Sequence, residues 1–340
     1  MLFTGEPKEQ VFSSLSGYNF YYITEKFKDE YGNIKARAVH ELNGTDVEIR
    51  YDIALSTGRT LKKWKYFIEH PIDINNILWP VDIIRDDEGV YGLVFRRRAF
   101  PPLKPFKDRL YNDEKLDWRN DDIQKLTINF LDLCKKIHDG GYAYHCFDIC
   151  RMRFNPQDMD ILFDFSLSMS RTYGELKKEE KINHADVGIE FLSPWLEMHE
   201  DNKMSLEDDY YSIAAILFRL MIGRMPYQGR LMDGMGDMMN LLRDIDENNH
   251  ISMFAKYREH PVFIFDENNK ENTIGIFSEE EIFIERWNAL PENIKKMFND
   301  VLNENNVKAD NENRITYSPE EWLEVLVNQC FTKQKEMSQK

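Results

Sequence analysis

The hydrophobic pattern changes period once, at about residue 100, and this change constrains the fold more than any other feature. Before it, the chain favours strands: residues 18–27 are rich in Tyr, Phe and Ile, and residues 33–42 and 46–51 flank Asn43-Gly44, the strongest short signal for a β-hairpin. After it, apolar residues recur at helical spacing. The sequence therefore predicts a strand-rich part followed by a mostly helical part.

Further elements can be assigned in the strand-rich part. A helix is predicted over residues 59–69, followed by strands over 77–84 and 90–95. The basic, proline-containing run 96–105 is predicted to connect the two parts. Arg96-Arg97-Arg98 within it is read as a solvated hinge, with a phosphopeptide site as the alternative.

Helices and short strands alternate in the second part. An apolar stripe from Ile123 to Ile137 predicts a helix that ends at Gly140-Gly141. Residues 151–167 are predicted to form short strands around a turn at Asn155-Pro156. The run 212–221 is apolar on nearly all sides, which is typical of a buried helix.

The last hundred residues contain two more helix signals. Apolar residues from Ile294 to Leu302 have amphipathic spacing behind Pro291. Ser318-Pro319-Glu320-Glu321 is a capping box with proline at the first helical position. Residues 266–273 are predicted to form a loop, and the tail after Thr332 a frayed end.

Composition excludes several classes of protein. The chain has 340 residues, of which 42% are hydrophobic, so it can bury a large core and is not disordered. The net charge is -16, which would repel nucleic acid and anionic membranes and favours proteins or small molecules as partners. Four cysteines form neither a disulfide framework nor a C-x-x-C zinc motif. With no leader peptide or membrane span, these features predict a cytoplasmic protein.

Several motifs resemble those of protein kinases. The stretch 141–167, GYAYHCFDICRMRFNPQDMDILFDFSL, resembles the kinase catalytic loop running into Asp-Phe-Gly, which falls on Asp164-Phe165-Ser166. Forty-two residues later, DDYYSIAAILFRLMIGRMPYQG resembles the buried helix of the kinase C-lobe. Ser193-Pro194-Trp195 falls on Ala-Pro-Glu, and the segment around Arg314 resembles a C-terminal Arg-Pro-Thr.

The resemblance implies an α+β, bilobal protein-kinase-like fold. Its N-lobe would be a small antiparallel β-sheet with one main helix over residues 18–98, and its C-lobe would be mostly α-helical over residues 99–333. Residues 1–17 would be an N-terminal extension and residues 334–340 a frayed tail. HPVFIFDENNKEN, WNALPENIKKMF and ILWPVDII further resemble a bacterial branch of the superfamily that is often associated with phosphatase and von Willebrand-type partners.

Most residues needed for phosphoryl transfer are replaced. The base position carries Cys146 and a metal-ligand position carries Arg151, while Arg50 stands on the third-strand lysine. In the glycine loop only Gly32 matches. Asp164 alone is retained, either as a vestige or as a residual metal ligand. No catalytic residue, cofactor or metal ion is therefore expected.

The vacant nucleotide cleft is predicted to be filled by charges. Strand alternation puts Glu48 and Arg50 on one face of the upper lobe and Arg151 and Arg153 on one face of the lower lobe. Glu48 and Arg153 would meet across the adenine slot. Four further residues are predicted to line the cleft. They are a glycine, an aromatic residue on the adenine side, the retained aspartate and a helix glutamate: Gly32, Phe95, Asp164 and Glu69.

Other interpretations stay open for several of these residues. Glu69 pairs with Arg50 or is a solvated helix-end residue. Cys146 is a partly buried thiol, with a nucleophile, or a metal nest together with His145, Asp148 and Cys150, as the alternative. The Met-rich run 231–242 is core or, less favoured, a docking surface.

Two residues are assigned structural roles by the resemblance. Asp209 would accept hydrogen bonds from the catalytic-loop backbone, and Arg314 would stabilise the C-lobe. Asp208, next to Asp209, is expected to be exposed. The function implied is a pseudokinase that scaffolds or regulates a protein partner, such as a kinase or phosphatase, without binding nucleic acid or membrane. The alternative is an atypical phospho- or nucleotidyl-transferase that uses Mg-ATP, Asp164 and one metal ion.

Overall fold

A computed structural model divides the chain into two compact units. The first comprises Met1–Pro102 with Phe163–Phe165, and the second comprises Leu103–Leu162 with Ser166–Lys340. The structure describes residues 9–13, 15–29, 32–51, 58–72, 74–86, 89–97, 103–110, 116–144, 149, 152–164, 170–171, 191, 193–194, 206–230, 261–268, 270–275, 277–309 and 313–331.

Six antiparallel strands of the first unit form a closed barrel in the order β1-β2-β3-β4-β7-β6. They are β1 (Glu9–Ser13), β2 (Phe20–Lys28), β3 (Ile34–His40), β4 (Asp46–Tyr51), β6 (Pro80–Arg85) and β7 (Tyr91–Arg96). Helix α1 (Gly58–Glu69) follows β4, and the two-residue strand β5 (Ile77–Leu78) precedes β6. The predicted hairpin at Asn43-Gly44 is confirmed: Gly44 has a φ of 65° and joins β3 to β4.

Alternation along each strand fills the barrel with apolar side chains, among them Val11, Ile23 and Val94. Small residues permit the tight closure. Ala36 and Ala38 are buried, and a Cβ added at Gly92 would lie 2.8 Å from Ile49 Cγ2. The interior is thus a packed core.

Closure depends on β1, which lies within the predicted N-terminal extension. Phe12 pairs with Phe20 of β2 on one side and with Arg85 of β6 on the other. The predicted fold class is therefore wrong: a bilobal kinase-like fold has an open N-lobe sheet, whereas this sheet closes into a six-stranded barrel. The difference is due to β1, a five-residue strand that was predicted to lie outside the sheet.

The segment 163–165 is separated in sequence from the rest of the first unit. Phe163 and Asp164 end strand β11 (Ile161–Asp164) and pair in parallel with β5. The backbone N–H of Phe163 donates to the carbonyl of Asn76 at 2.9 Å. This pairing places Asp164 in the first unit.

Helices dominate the second unit. In chain order, its described elements are β8 (Lys104–Pro105), α2 (Phe106–Leu110), α3 (Asp121–Asp139), β9 (Tyr142–Ala143), β10 (Met152–Phe154), β12 (Ser170–Arg171), α4 (Leu206–Ile222), a 3-10 turn (Ser278–Glu280), α5 (Glu281–Asn288), α6 (Glu292–Leu302), α7 (Glu304–Val307), α8 (Pro319–Val325) and a π-helical segment (Leu326–Phe331).

Several helix predictions are confirmed in this unit. Helix α3 buries the predicted stripe and ends at Gly140, and Asn120 caps its first turn by accepting a hydrogen bond from the N–H of Asp122. Helix α4 is buried almost all round. The capping box at Ser318 and Glu321 is present at the start of α8. The predicted frayed tail lies outside the described residues.

Candidate functional site

A cluster of charges lies on the outer face of the barrel, where β4 exposes alternate side chains. Val47 and Ile49 point into the core, so Glu48 and Arg50 point outward. Arg50 Nε donates to Glu48 Oε1 at 2.8 Å, and Arg50 Nη1 donates to Asp164 Oδ1 at 3.2 Å. One guanidinium thus bridges two carboxylates from distant parts of the sequence, those of Glu48 and Asp164.

An aromatic ring supports this guanidinium. The central carbon of Arg50 lies 4.5 Å from the ring centroid of Phe95, which is opposite Glu48 on β7. Burial would lower the pKa of Arg50, but attraction to Asp164 and Glu48 outweighs burial and raises it. The group therefore keeps its positive charge, and the three charges sum to -1.

The turn between β2 and β3 uses its own backbone donors. The N–H of Gly32 donates to the carbonyl of Asp29 at 3.0 Å, and the N–H of Asn33 donates to Asp29 Oδ1 at 2.9 Å. Lys35 forms an ion pair with the same carboxylate at 3.1 Å. Gly32 has a φ of 83°, which suits glycine in a tight turn. These N–H groups are directed at Asp29 and are not free to bind an external anion.

Asp29 keeps its charge in this turn. Burial raises the pKa of the carboxyl, but hydrogen bonds from Asn33 and the charge of Lys35 outweigh burial and lower the pKa to about 2. The stabilisation is present above the ordinary pKa of Asp and is lost as the pH falls towards 2. The contributions of Asn33 and Lys35 were missed in the sequence, although an aspartate and an asparagine flanking a glycine indicate such a turn.

The other charged residues predicted for the cleft are Glu69, Arg151 and Arg153. Glu69 is exposed at the end of α1 and is not an ion-pair partner of Arg50. Arg153 is exposed on β10 of the second unit, where it pairs with Pro105. Its predicted pairing with Glu48 would join the two units and stays a prediction. Cys146 and Arg151 lie outside the described residues, as does the Met-rich run.

Asp209 is buried in the second unit and accepts two hydrogen bonds. The backbone N–H of Tyr144 donates to Asp209 Oδ2 at 2.7 Å, and His138 Nε2 lies 3.0 Å from the same oxygen. His138 Nδ1 is buried and has no hydrogen-bond partner among the described residues. A proton on Nε2 of His138 makes this contact a hydrogen bond to the Asp209 carboxylate.

Replacing Asp209 with alanine is expected to lower the free energy of unfolding by about 2 to 4 kcal/mol, since each buried donor left unpaired costs about 1 to 3 kcal/mol. Thermal unfolding would detect the change. Asp139→Ala serves as the control, because the Asp139 side chain is 63% exposed at the end of α3 and forms an ion pair with the half-buried Lys135 one turn earlier. Equal melting temperatures for the two variants would contradict the assigned role of Asp209.

Arg314 forms a buried ion pair with the neighbour of Asp209. Arg314 Nη2 lies 2.9 Å from Asp208 Oδ1, and Nη1 donates to Ser193 Oγ at 3.0 Å. The side chains of Arg314 and Asp208 are 2% and 3% exposed. The expectation that Asp208 is exposed is therefore wrong, because its carboxylate is buried in this ion pair.

No protein-family model matches this chain, and no curated protein is significantly similar to it. Within the described ranges, no group of three or more His, Cys, Asp or Glu side chains is placed to hold a metal ion. None of the helices described there combines the length and the apolar character needed to cross a bilayer.

Proposed function

We propose that the protein is a pseudokinase: a chain with kinase-like motifs that transfers no phosphoryl group and acts by binding another protein, as a scaffold or an allosteric regulator. The observation that carries the proposal is the hydrogen-bonded ion pair between Arg50 and Asp164. These residues stand on the phosphate-binding lysine and the metal-binding aspartate of kinases, by the resemblance of their motifs. The proposal rests on these motifs and contacts and not on the lobe architecture.

The charges around Arg50 support the proposal that the protein binds no nucleotide. In kinases the strand lysine binds the α- and β-phosphates, and the Asp-Phe-Gly aspartate holds Mg²⁺. Here Arg50 neutralises Asp164 and is itself shared with Glu48, so the cluster is net negative. ATP would have to displace two carboxylates from Arg50 and then remain beside both of them.

The turn between β2 and β3 supports the same conclusion. Backbone N–H groups at a glycine-rich turn bind phosphates only when they point outward. The N–H of Gly32 donates to the backbone carbonyl of Asp29, and the N–H of Asn33 donates to the Asp29 carboxylate. An incoming phosphate would meet a fixed negative charge.

Nucleotide binding can be tested directly by thermal shift with Mg-ATP and Mn-ATP. Because a ligand that binds the native state at 100 times its Kd stabilises it by about 2.7 kcal/mol, binding would raise the melting temperature measurably. We expect no rise with either metal, and no phosphate incorporation into the protein or a generic substrate. An active kinase, run in parallel, controls for nucleotide and metal quality.

The alternative function predicts the opposite outcome. A phospho- or nucleotidyl-transferase that uses one metal ion would incorporate label from ATP, and Asp164→Ala would abolish the incorporation. Asp46→Ala is the matched control, since Asp46 is an exposed aspartate of the same barrel, at the start of β4. Incorporation that survives in the Asp46 variant and is lost in the Asp164 variant would replace the pseudokinase proposal.

The partner is proposed to be a protein, with an active kinase or a phosphatase as the candidate class, on the basis of the resemblance alone. A net charge of -16 argues against nucleic acid and anionic membrane surfaces as partners. A cytoplasmic location is proposed because the four cysteines form no disulfide framework. Among the described side chains, Cys134 is a buried free thiol.

A further inference from the structure

Aromatic side chains follow one another on the outer face of β1 and β2, two neighbouring strands of the barrel. Tyr21 and Ile23 of β2 are buried in the core, so Phe20 and Tyr22, which alternate with them, point outward. Phe12 of β1 is opposite Phe20 in the register. Because residues opposite each other point to the same side of a sheet, Phe12 also faces outward, where it is 42% exposed.

Tyr18 extends this surface beyond the end of β2, two residues before Phe20. The N–H of Ser13 donates to the carbonyl of Asn19 at 2.8 Å, so β1 and β2 stay paired up to the residue next to Tyr18. Ser16 Oγ accepts from the N–H groups of Tyr18 and Asn19 at 3.2 and 3.3 Å. These bonds fix the backbone of the turn, while the side chain of Tyr18 is 83% exposed. We call these four side chains the aromatic patch: Phe12, Tyr18, Phe20 and Tyr22.

The size of the aromatic patch favours a short segment of a partner protein over a second copy of the chain. An aromatic side chain offers about 200 Å², so the exposed fractions of Phe12 and Tyr18 amount to roughly 250 Å². A stable interface between two folded proteins buries about 800 Å² on each of them. Exposed aromatic side chains are typical of protein interfaces, and an area this small suits a peptide.

The closed barrel also determines how such a segment can bind. Each of the six strands is paired on both sides, so none of them offers the free edge that an added β-strand needs. A segment on this face must therefore bind through side chains. A polyproline II helix suits this requirement, because it is extended without a hydrogen-bonded backbone partner and docks on aromatic side chains. Tyr18 and Tyr22 are about 14 Å apart along the strand, a distance that about five residues of such a helix cover.

One carboxylate lies beside the aromatic patch. The hydroxyl of Tyr22 donates to Glu41 Oε1 at 2.8 Å, which holds Glu41 next to the rings. Arg85 follows Phe12 on the other side, but its guanidinium packs 5.6 Å from the ring centroid of Tyr91 on β7, away from β1. The charge held at the rings is therefore negative, on a chain whose net charge is -16. It complements a basic residue in the bound segment.

We propose that the aromatic patch binds a proline-rich segment of the partner protein, in the polyproline II conformation, with an arginine of the segment paired to Glu41. Proline rings stack on the exposed rings of the patch, and the preformed helix loses little conformational entropy on binding. The inference rests on the proposed function in one respect, since it names the chemistry of the protein partner. Its test uses no nucleotide, so its failure would leave the loss of phosphoryl transfer untouched.

A fluorescein-labelled peptide of consecutive prolines, about ten residues long and ending in arginine, tests this inference by fluorescence anisotropy. Titration with the full chain to about 500 µM would detect the weak binding that so small an interface permits. Tyr18→Ala and Phe12→Ala should each raise the Kd by about fivefold or more. Phe277→Ala is the matched control, since Phe277 is a 53% exposed aromatic residue of the second unit, and it should leave the Kd unchanged.

A charge exchange tests the role of Glu41. Replacing the arginine of the peptide with glutamate should weaken binding to the wild-type chain, and Glu41→Lys should restore it. A glycine-serine peptide of the same length and charge should not bind, because it forms no polyproline II helix. Tyr18 is in an exposed turn, so Tyr18→Ala should melt at the wild-type temperature and report on binding even if Phe12→Ala unfolds.

Three results would overturn the inference. The first is an unchanged anisotropy at the highest concentration of the wild-type chain. The second is an equal Kd for the wild-type chain and Tyr18→Ala, or for the proline and glycine-serine peptides, because binding would then not depend on the rings. The third is a dimer of the wild-type chain in sedimentation velocity that Tyr18→Ala abolishes, which would assign the aromatic patch to a second copy.

Discussion

Replacing Asp82 with alanine is expected to lower the free energy of unfolding by about 4 kcal/mol, because each buried donor left without an acceptor costs about 1 to 3 kcal/mol. Asp82 is 3% exposed and accepts from Ser13 Oγ at 2.7 Å and from the Tyr21 hydroxyl at 2.9 Å. Asn19 Nδ2 and the N–H of Ile83 donate to the same carboxylate at 3.3 and 2.8 Å.

The position of Asp82 explains why the effect should be large. Ser13 is on β1, Tyr21 is on β2 and Asp82 is on β6, so one carboxylate joins the three strands where the barrel closes. In the described part of the chain, β1 and β6 are joined by two register pairs, Phe12 with Arg85 and Ser13 with Ile84. Losing the carboxylate therefore removes the side-chain hydrogen bond that joins β1 to β6.

Urea unfolding of a graded series measures this contribution. Ser13→Ala and Tyr21→Phe each remove one donor and should cost about 1 kcal/mol. Asp82→Asn keeps one acceptor oxygen and should fall between these variants and Asp82→Ala. Asp46→Ala, at an exposed aspartate of the same barrel, should change stability by less than about 0.5 kcal/mol. A loss below about 1 kcal/mol for Asp82→Ala would show that closure does not depend on it.

Local signals were sufficient to predict most helices and strands. Asn43-Gly44 predicts a hairpin because glycine tolerates a positive φ, and Gly44 has one. Ser318 and Glu321 predict the start of α8 because each side chain satisfies a free N–H of the other's backbone. In both cases all the interacting groups lie within a few residues of each other.

Barrel closure could not be predicted in the same way. It depends on pairs such as Phe12 with Arg85, which are far apart in sequence and leave no local pattern. The burial of Asp82 could not be predicted either, because a charged residue within a strand usually faces solvent. Asp82 is instead buried among hydrogen-bond donors from other strands. The sheet was predicted to be open because residues 1–17, which contain β1, were assigned to an N-terminal extension.

The candidate site was predictable only in part. Period-two alternation puts Glu48 and Arg50 on one face, and the two side chains are hydrogen bonded. Asp164 joins them through the parallel pairing of β11 with β5. No local pattern indicates this pairing, and the expectation that Asp164 lies near Arg50 came from the resemblance to kinase motifs. The burial of Asp208 was unpredictable for the same reason, because it depends on Arg314, 106 residues away.

Replacing Arg314 with leucine is expected to cost about 3 to 5 kcal/mol, because it leaves the carboxylate of Asp208 buried without its cation. At about 2 to 4 °C per kcal/mol for a unit of this size, the melting temperature should fall by about 10 °C. Arg230→Leu is the matched control, since Arg230 is an exposed arginine of the same unit. Comparable melting temperatures for the two variants would show that the ion pair contributes little.

A second variant separates the ion pair from the other bond of the same guanidinium. Ser193→Ala removes only the neutral acceptor of Arg314 Nη1 and should cost about 1 kcal/mol. Asp208→Ala leaves the buried cation unpaired and should cost as much as Arg314→Leu. Because both single losses contain the penalty of an unpaired charge, the double variant Asp208→Ala/Arg314→Leu should lose clearly less than their sum. Strict additivity would mean that Arg314 stabilises the unit through Ser193 and side-chain packing, and that the contact with Asp208 contributes nothing of its own.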